Sequence, residues 1–133
     1  MKETNRILFV DDDELILLCF ARVLGQRFTL DVAWGSAEAL RMIDLRGPYA
    51  VVVSDMSMPG MSGLELLKRA KQAAPETIGL LMSGNAESEA LENAVRDGIV
   101  LKVLQKPFDV KEMIATLEEA LVQYEGLQRC SHA

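Results

Sequence analysis

The chain has no run of basic residues, no apolar stretch near the ~20 residues a membrane span needs, and only two cysteines in 133 residues. A formal net charge of −6 without a basic cluster argues against nucleic acid as a direct partner. The opening MKETNRILFV, followed by three aspartates, has too short an apolar region for a signal peptide. Cys19 lies inside an apolar helical pattern and Cys130 near the end, which gives neither a disulfide framework nor a metal-ligand spacing. No linker or low-complexity segment interrupts the chain, and there is no room for a second domain. These absences leave a cytoplasmic, single-domain reading: residues 1–125 as the domain and 126–133 as a tail or the start of a linker.

What is present is globular composition, 50% hydrophobic and 26% charged. A chain of this length buries roughly two-thirds of its unfolded surface. Strand-like apolar runs alternate with helical patterns five times. The strands are Ile7–Val10, Phe28–Ala33, Ala50–Ser54, Thr77–Met82 and Val100–Leu104. The helices are Glu14–Leu24, Ser36 to about Leu45, one opened by the Ser62/Glu65 capping-box pattern, Glu87–Asp97, and Asp109 to about Tyr124. Continuous runs such as AVVV and IGLLM suit strands covered on both faces, as in parallel sheets. The alternation predicts a three-layer α/β domain with right-handed crossovers. Periodicity alone does not give the strand order.

The chemistry is read from the strand ends. Strand one ends in Asp11-Asp12-Asp13, strand three in Asp55, strand four in Ser83-Gly84, and strand five in Lys106-Pro107. Taken singly, each has a plainer explanation: helix caps, turns and a surface lysine. In a parallel sheet, however, all four ends share one edge, where open α/β sheets bind ligands. Carboxylates gathered there repel, at about 4 kcal/mol for a pair ~4 Å apart at an effective dielectric near 20. A hard divalent cation such as Mg²⁺ relieves that cost and serves phosphate chemistry. With a lysine and a hydroxyl alongside, the set reads as phosphoryl transfer, with a carboxylate as a possible nucleophile.

Over roughly residues 6–125 the chain resembles a receiver domain of two-component response regulators, of the CheY-like superfamily. ILFVDDDE resembles the acidic-pair strand end, DMSMPGMSG fits D-x-x-M-P-x-M-x-G, LMSG supplies the hydroxyl, and LQKPF the lysine-proline. The resemblance implies a doubly wound, flavodoxin-like five-stranded parallel sheet of order 2-1-3-4-5. It implies that Asp55 accepts a phosphoryl group from a sensor histidine kinase or histidine phosphotransfer protein. Asp12 and Asp55 would ligate Mg²⁺ directly, Asp11 through water, and Ser57 by its backbone carbonyl. Ser83 and Lys106 would contact the phosphoryl oxygens, with a cis Lys106–Pro107 bond. Such a domain catalyses only its own phosphorylation and dephosphorylation. A homodimer or an output domain on a longer chain is the expected further partner.

Some positions depart from the family pattern. Val103 stands where many receivers carry a switching aromatic and reads as core. Leu101-Lys102-Val103 resembles the tyrosine-lysine-phenylalanine of a subgroup with one extra residue before the lysine. Ser57 and Asn85 flank the site at positions that tune dephosphorylation. In the first helix Ile16, Cys19, Phe20, Val23 and Leu24 form the expected inner stripe, leaving Leu15, Leu17 and Leu18 for an apolar docking patch. Trp34 reads as packing or a surface aromatic, and the tail with Cys130 and His132 as disordered. Two rival functions remain. One is a haloacid-dehalogenase-type phosphatase using Asp11 of an Asp-x-Asp motif, although Leu15 stands where that family has Thr or Val. The other is an unphosphorylated receiver-like interaction module.

Overall fold

The computed structural model describes residues 5–85 and 87–131. Five strands, β1 (Ile7–Asp11), β2 (Leu30–Trp34), β3 (Val51–Asp55), β4 (Ile78–Ser83) and β5 (Lys102–Gln105), form one parallel sheet of order β2-β1-β3-β4-β5. The helices are α1 (Glu14–Leu24), α2 (Ser36–Arg46), α3 (Gly63–Ala73), α4 (Glu89–Arg96) and α5 (Val110–Ser131). This is the three-layer doubly wound arrangement that the alternating pattern predicts.

Every residue of β1, β3 and β4 is buried, which is why their apolar runs do not alternate. Successive side chains point to opposite faces. Ile7, Phe9, Val51, Val53, Leu80 and Met82 therefore meet Leu17 and Leu24 of α1 and Met113, Leu117, Ala120 and Tyr124 of α5. Leu8, Val10, Val52 and Leu81 meet Ala39, Leu66, Leu67, Leu91 and Ala94 of α2, α3 and α4.

Several boundaries differ from the sequence expectation, each for a hydrogen-bonding reason. The N–H groups of Arg27 and Phe28 close the end of α1 on the Leu24 carbonyl, so β2 starts only at Leu30. Those of Ile99 and Val100 both go to Ala94 O, so β5 starts at Lys102. Helix α2 does begin at Ser36, with Gly35 in the cap position. Ser88 caps α4 through the Leu91 N–H, while Gly98, at φ +81, supplies the left-handed turn behind it. Helix α5 runs past Tyr124 to Ser131, so residues 126–131 are helical and Cys130 is exposed on them. Buried Tyr124 and a Gln128–Glu76 side-chain bond support that extension. His132 lies outside the described residues.

The α1 stripe is rotated from its expected position. Leu17 is buried with Leu24, and Ile16 and Phe20 pack on the same core, Phe20 stacking on Phe9 at 5.0 Å. Cys19 and Val23 face outward with Leu15 (69% exposed) and Leu18 (61% exposed). With nine apolar residues among the eleven of the helix, periodicity has little contrast from which to choose a face.

Candidate functional site

The site is assembled where β1, β3, β4 and β5 end. Register sets Asp55 beside Met82, Ser83 beside Gln105, and Asp11 beside Trp34 of β2. Helix α3 closes in behind Asp55: Gly63 donates to Met56 O at 2.9 Å, and a Cβ on Gly63 would stand 2.2 Å from the Asp55 carbonyl oxygen. Only glycine permits that approach. Ser62 begins α3 by accepting the Glu65 N–H, so the Pro-Gly loop after Asp55 ends in an ordered helix.

Asp11, Asp12 and Asp55 present carboxylate oxygens all within 4.8 Å of one another. Asp11 and Asp55 are buried and Asp12 is exposed. Lys106 Nζ lies 2.6 Å from Asp55 Oδ1, at the end of β5 beside a cis Lys106–Pro107 bond. Asp11 accepts the Asp13 N–H on Oδ1, but among the described residues its buried Oδ2 has no hydrogen-bond partner. Burial, with the Asp55 charge adding to it, pushes the Asp11 carboxyl up from 3.8 to about 6; the Asp13 N–H and the Lys106 ammonium pull the other way.

The remaining candidates take distinct places. Ser83 is buried one residue past Met82; its hydroxyl accepts the Asn85 N–H at 3.0 Å and its carbonyl accepts the Lys106 N–H at 2.8 Å. Ser57 is exposed in the loop after Asp55. Asp13 is outside the cluster, accepting the Leu15 and Ile16 N–H groups as the cap of α1. Two residues for which the sequence pattern predicts no part in the site also lie at it. Trp34 donates its indole N–H to Asp12 O at 2.8 Å, and Gln105 donates its amide to Gly84 O at 2.8 Å and to Lys106 O. The bonds to Asp12 O and Gly84 O have no local sequence pattern; each joins residues that only the sheet order brings together.

A magnesium ion is the cofactor such a site implies, and the residues fit one. Three converging carboxylates, one with a buried oxygen lacking any partner, are an oxygen donor set of the kind a hard cation takes.

Residues 7–118 match the family model of the response regulator receiver domain, and the chain belongs to that family. It is 31% identical over 126 residues to the hydrogenase transcriptional regulatory protein HoxA of Cupriavidus necator, covering 95% of this chain and 26% of that protein. It is 36% identical over 121 residues to the DNA-binding transcriptional regulator NtrC of Escherichia coli K12, covering 90% of this chain and 25% of that protein. The crystal structure of adenylate cyclase from Rhodopirellula baltica superimposes with a TM-score of 0.93 at 31% identity, covering 97% of this chain and 96% of that one. The chain thus spans about a quarter of the length of the curated relatives it matches. Its class is a phosphoacceptor receiver of two-component signal transduction. Among the described residues, no helix is long and apolar enough to cross a membrane.

Proposed function

We propose that Asp55 is the phosphoacceptor. Its carboxylate oxygen attacks the phosphorus of a phosphohistidine on a sensor histidine kinase or histidine phosphotransfer protein. The P–N bond breaks, the imidazole leaves with the bonding pair, and an aspartyl phosphate remains. The observation that carries this reading is the convergence on one carboxylate of a lysine at 2.6 Å and two further acids within 4.8 Å. Asp12, Asp55 and the Ser57 carbonyl would hold Mg²⁺ directly and Asp11 through water. When bound, the ion supplies charge stabilisation to the phosphoryl oxygens. Lys106 exchanges its bond to Asp55 for one to a phosphoryl oxygen, and the Ser83 hydroxyl donates to another.

Phosphorylation adds about −1.5 to −2 charges at Asp55. Lys106 and Ser83 are drawn to that charge, and the Lys106 N–H to Ser83 O bond moves the ends of β4 and β5 together. Signalling through the surface of α4 and β5 then needs no aromatic at Val103, which is only half-buried. A phosphotransfer partner docks on the exposed face of α1, where Leu15 and Leu18 lie nearest Asp12 and Asp13. Output belongs to another domain or a second copy of the chain.

The haloacid-dehalogenase reading is disfavoured because Asp13, its second acid, is spent on the α1 cap. The test is intact-mass spectrometry after incubation with acetyl phosphate, with and without Mg²⁺, on wild type, Asp55→Asn and Asp11→Asn. A Mg²⁺-dependent phosphoryl adduct mapped to Asp55, abolished in Asp55→Asn and weakened but still on Asp55 in Asp11→Asn, is the expected result. An adduct on Asp11 would favour the phosphatase. No adduct and no beryllofluoride binding would favour the unphosphorylated module. For docking, Leu18→Ser should slow transfer from a phosphorylated histidine donor while leaving acetyl phosphate labelling and melting temperature unchanged. Equal transfer rates would remove α1 from the contact.

A further inference from the structure

Asp12 is the member of the acidic cluster with the least surrounding structure. Asp11 and Asp55 are buried, one accepting the Asp13 N–H and the other paired with Lys106. The Asp12 side chain is exposed. What grips this residue is its backbone, whose carbonyl accepts the Trp34 indole N–H at 2.8 Å. The preceding carbonyl, of Asp11, accepts the Gly35 N–H at 2.9 Å. The end of β2 therefore holds both carbonyls of the acidic pair.

Trp34 is itself anchored, facing Asp11 in the strand register and donating its backbone N–H to Glu38 Oε1 at 2.5 Å. The residue is 62% exposed, so little apolar burial explains its orientation. A buried indole usually needs a partner for its N–H, but an exposed one has water available. A bond kept in that setting orients the acceptor as much as it satisfies the donor. The ring also forms one wall of a groove with Leu40, Pro59 and Met61 that opens beside Asp12.

We propose that Trp34 is a positioning residue for magnesium at the acidic cluster, acting through the main chain of Asp12. By fixing the peptide from which the exposed carboxylate projects, the indole removes ordering that metal binding would otherwise have to impose. The inference rests on the reading of the cluster as a magnesium site. It also makes Trp34, the single tryptophan of the chain, a direct reporter of occupancy.

The experiment is a Mg²⁺ titration of the wild-type chain, followed in parallel by tryptophan emission and by calorimetry, with calorimetry repeated on Trp34→Phe. Phenylalanine keeps an aromatic ring and removes the donor. The expected results are a saturable emission change that tracks the calorimetric isotherm and a dissociation constant raised about three- to tenfold in the variant. The melting temperature without Mg²⁺ should be unchanged. An unaltered constant in Trp34→Phe, or an emission flat through calorimetric saturation, would overturn the assignment alone. So would a weakened constant accompanied by a lower metal-free melting temperature, which marks a structural role. Wild type that binds no Mg²⁺ by either method would bring down the cluster reading and this inference with it.

Discussion

At the amino end of the sheet, Tyr49 donates its hydroxyl to Asp31 at 2.7 Å, and Asp31 also faces Arg6 and Arg46, each at 3.6 Å. Thr77 donates to Tyr49 O and Lys71 to Thr77 O, both at 2.7 Å, and the Arg6 guanidinium lies over the Tyr49 ring. At the carboxyl end, three carboxylates face one lysine, and Asp11 Oδ2 is buried with no partner among the described residues. The amino end sets buried hydroxyl groups among half-buried and exposed charges, the carboxyl end holds buried carboxylates, and only the first is complete among the described residues. Buried polar groups are costly when unpaired, so a finished network stabilises the fold whereas an unfinished one marks a place for something else. The same sheet therefore keeps its completed polar network at one edge and its candidate site at the other.

Removing a group should have opposite consequences at the two ends, and the largest effect is expected at Asp11. Its carboxyl is raised from 3.8 to about 6, chiefly by burial. Between those values the folded state holds more protons than the unfolded one, so stability falls as pH rises and the loss is complete above pH 6. Acidifying the metal-free protein from above pH 6 toward pH 4 should recover about 1–3 kcal/mol from this group. Asp11→Asn should be more stable than wild type by a similar amount at pH 7.5 without Mg²⁺, and the difference should vanish near pH 4. Mg²⁺ should stabilise wild type, by about 2.7 kcal/mol at one hundred times its dissociation constant, and the variant much less. Chemical denaturation at the two pH values checks this. A variant less stable at pH 7.5 would mean that the carboxyl end is as complete as the amino end.

The same contrast explains what the sequence made legible. Asp55 and Lys106 could be placed because buried strands in a parallel sheet must all end on one edge, so strand ends alone locate the site. The apolar runs of β3 and β4 were equally clear, because strands covered on both faces need no alternation. The inner face of α1 was not, because nine apolar residues among eleven leave too little of a polar side to mark the outside. Trp34 was legible as a surface aromatic, but its bond to Asp12 was not, because its indole reaches a carbonyl 22 residues away, across a strand pair that periodicity does not specify. Once the β2–β1 register is known, a tryptophan opposite Asp11 is the signal. Tyr49 was missed for the same reason: its partners Asp31, Arg6 and Arg46 lie on three separate segments.

A smaller effect, at the amino end, sharpens the comparison. Burial and its bond to Asp31 push the Tyr49 hydroxyl up to about 12, so it stays a donor throughout the range in which Asp11 titrates. Tyr49→Phe keeps the buried ring and deletes only that donor. Asp31 retains Arg6 and Arg46, so the loss should be about 1 kcal/mol, near the net worth of one hydrogen bond to a charged group that keeps other partners. The loss should be the same at pH 7.5 and pH 5, since tyrosine does not ionise between them. The Mg²⁺ dissociation constant and the rate of labelling by acetyl phosphate should not change. Equilibrium denaturation at both pH values, with calorimetry for the metal, measures each part. A shifted Mg²⁺ constant would show that the two edges are coupled through the sheet, because no bond from Tyr49 reaches the acidic cluster directly.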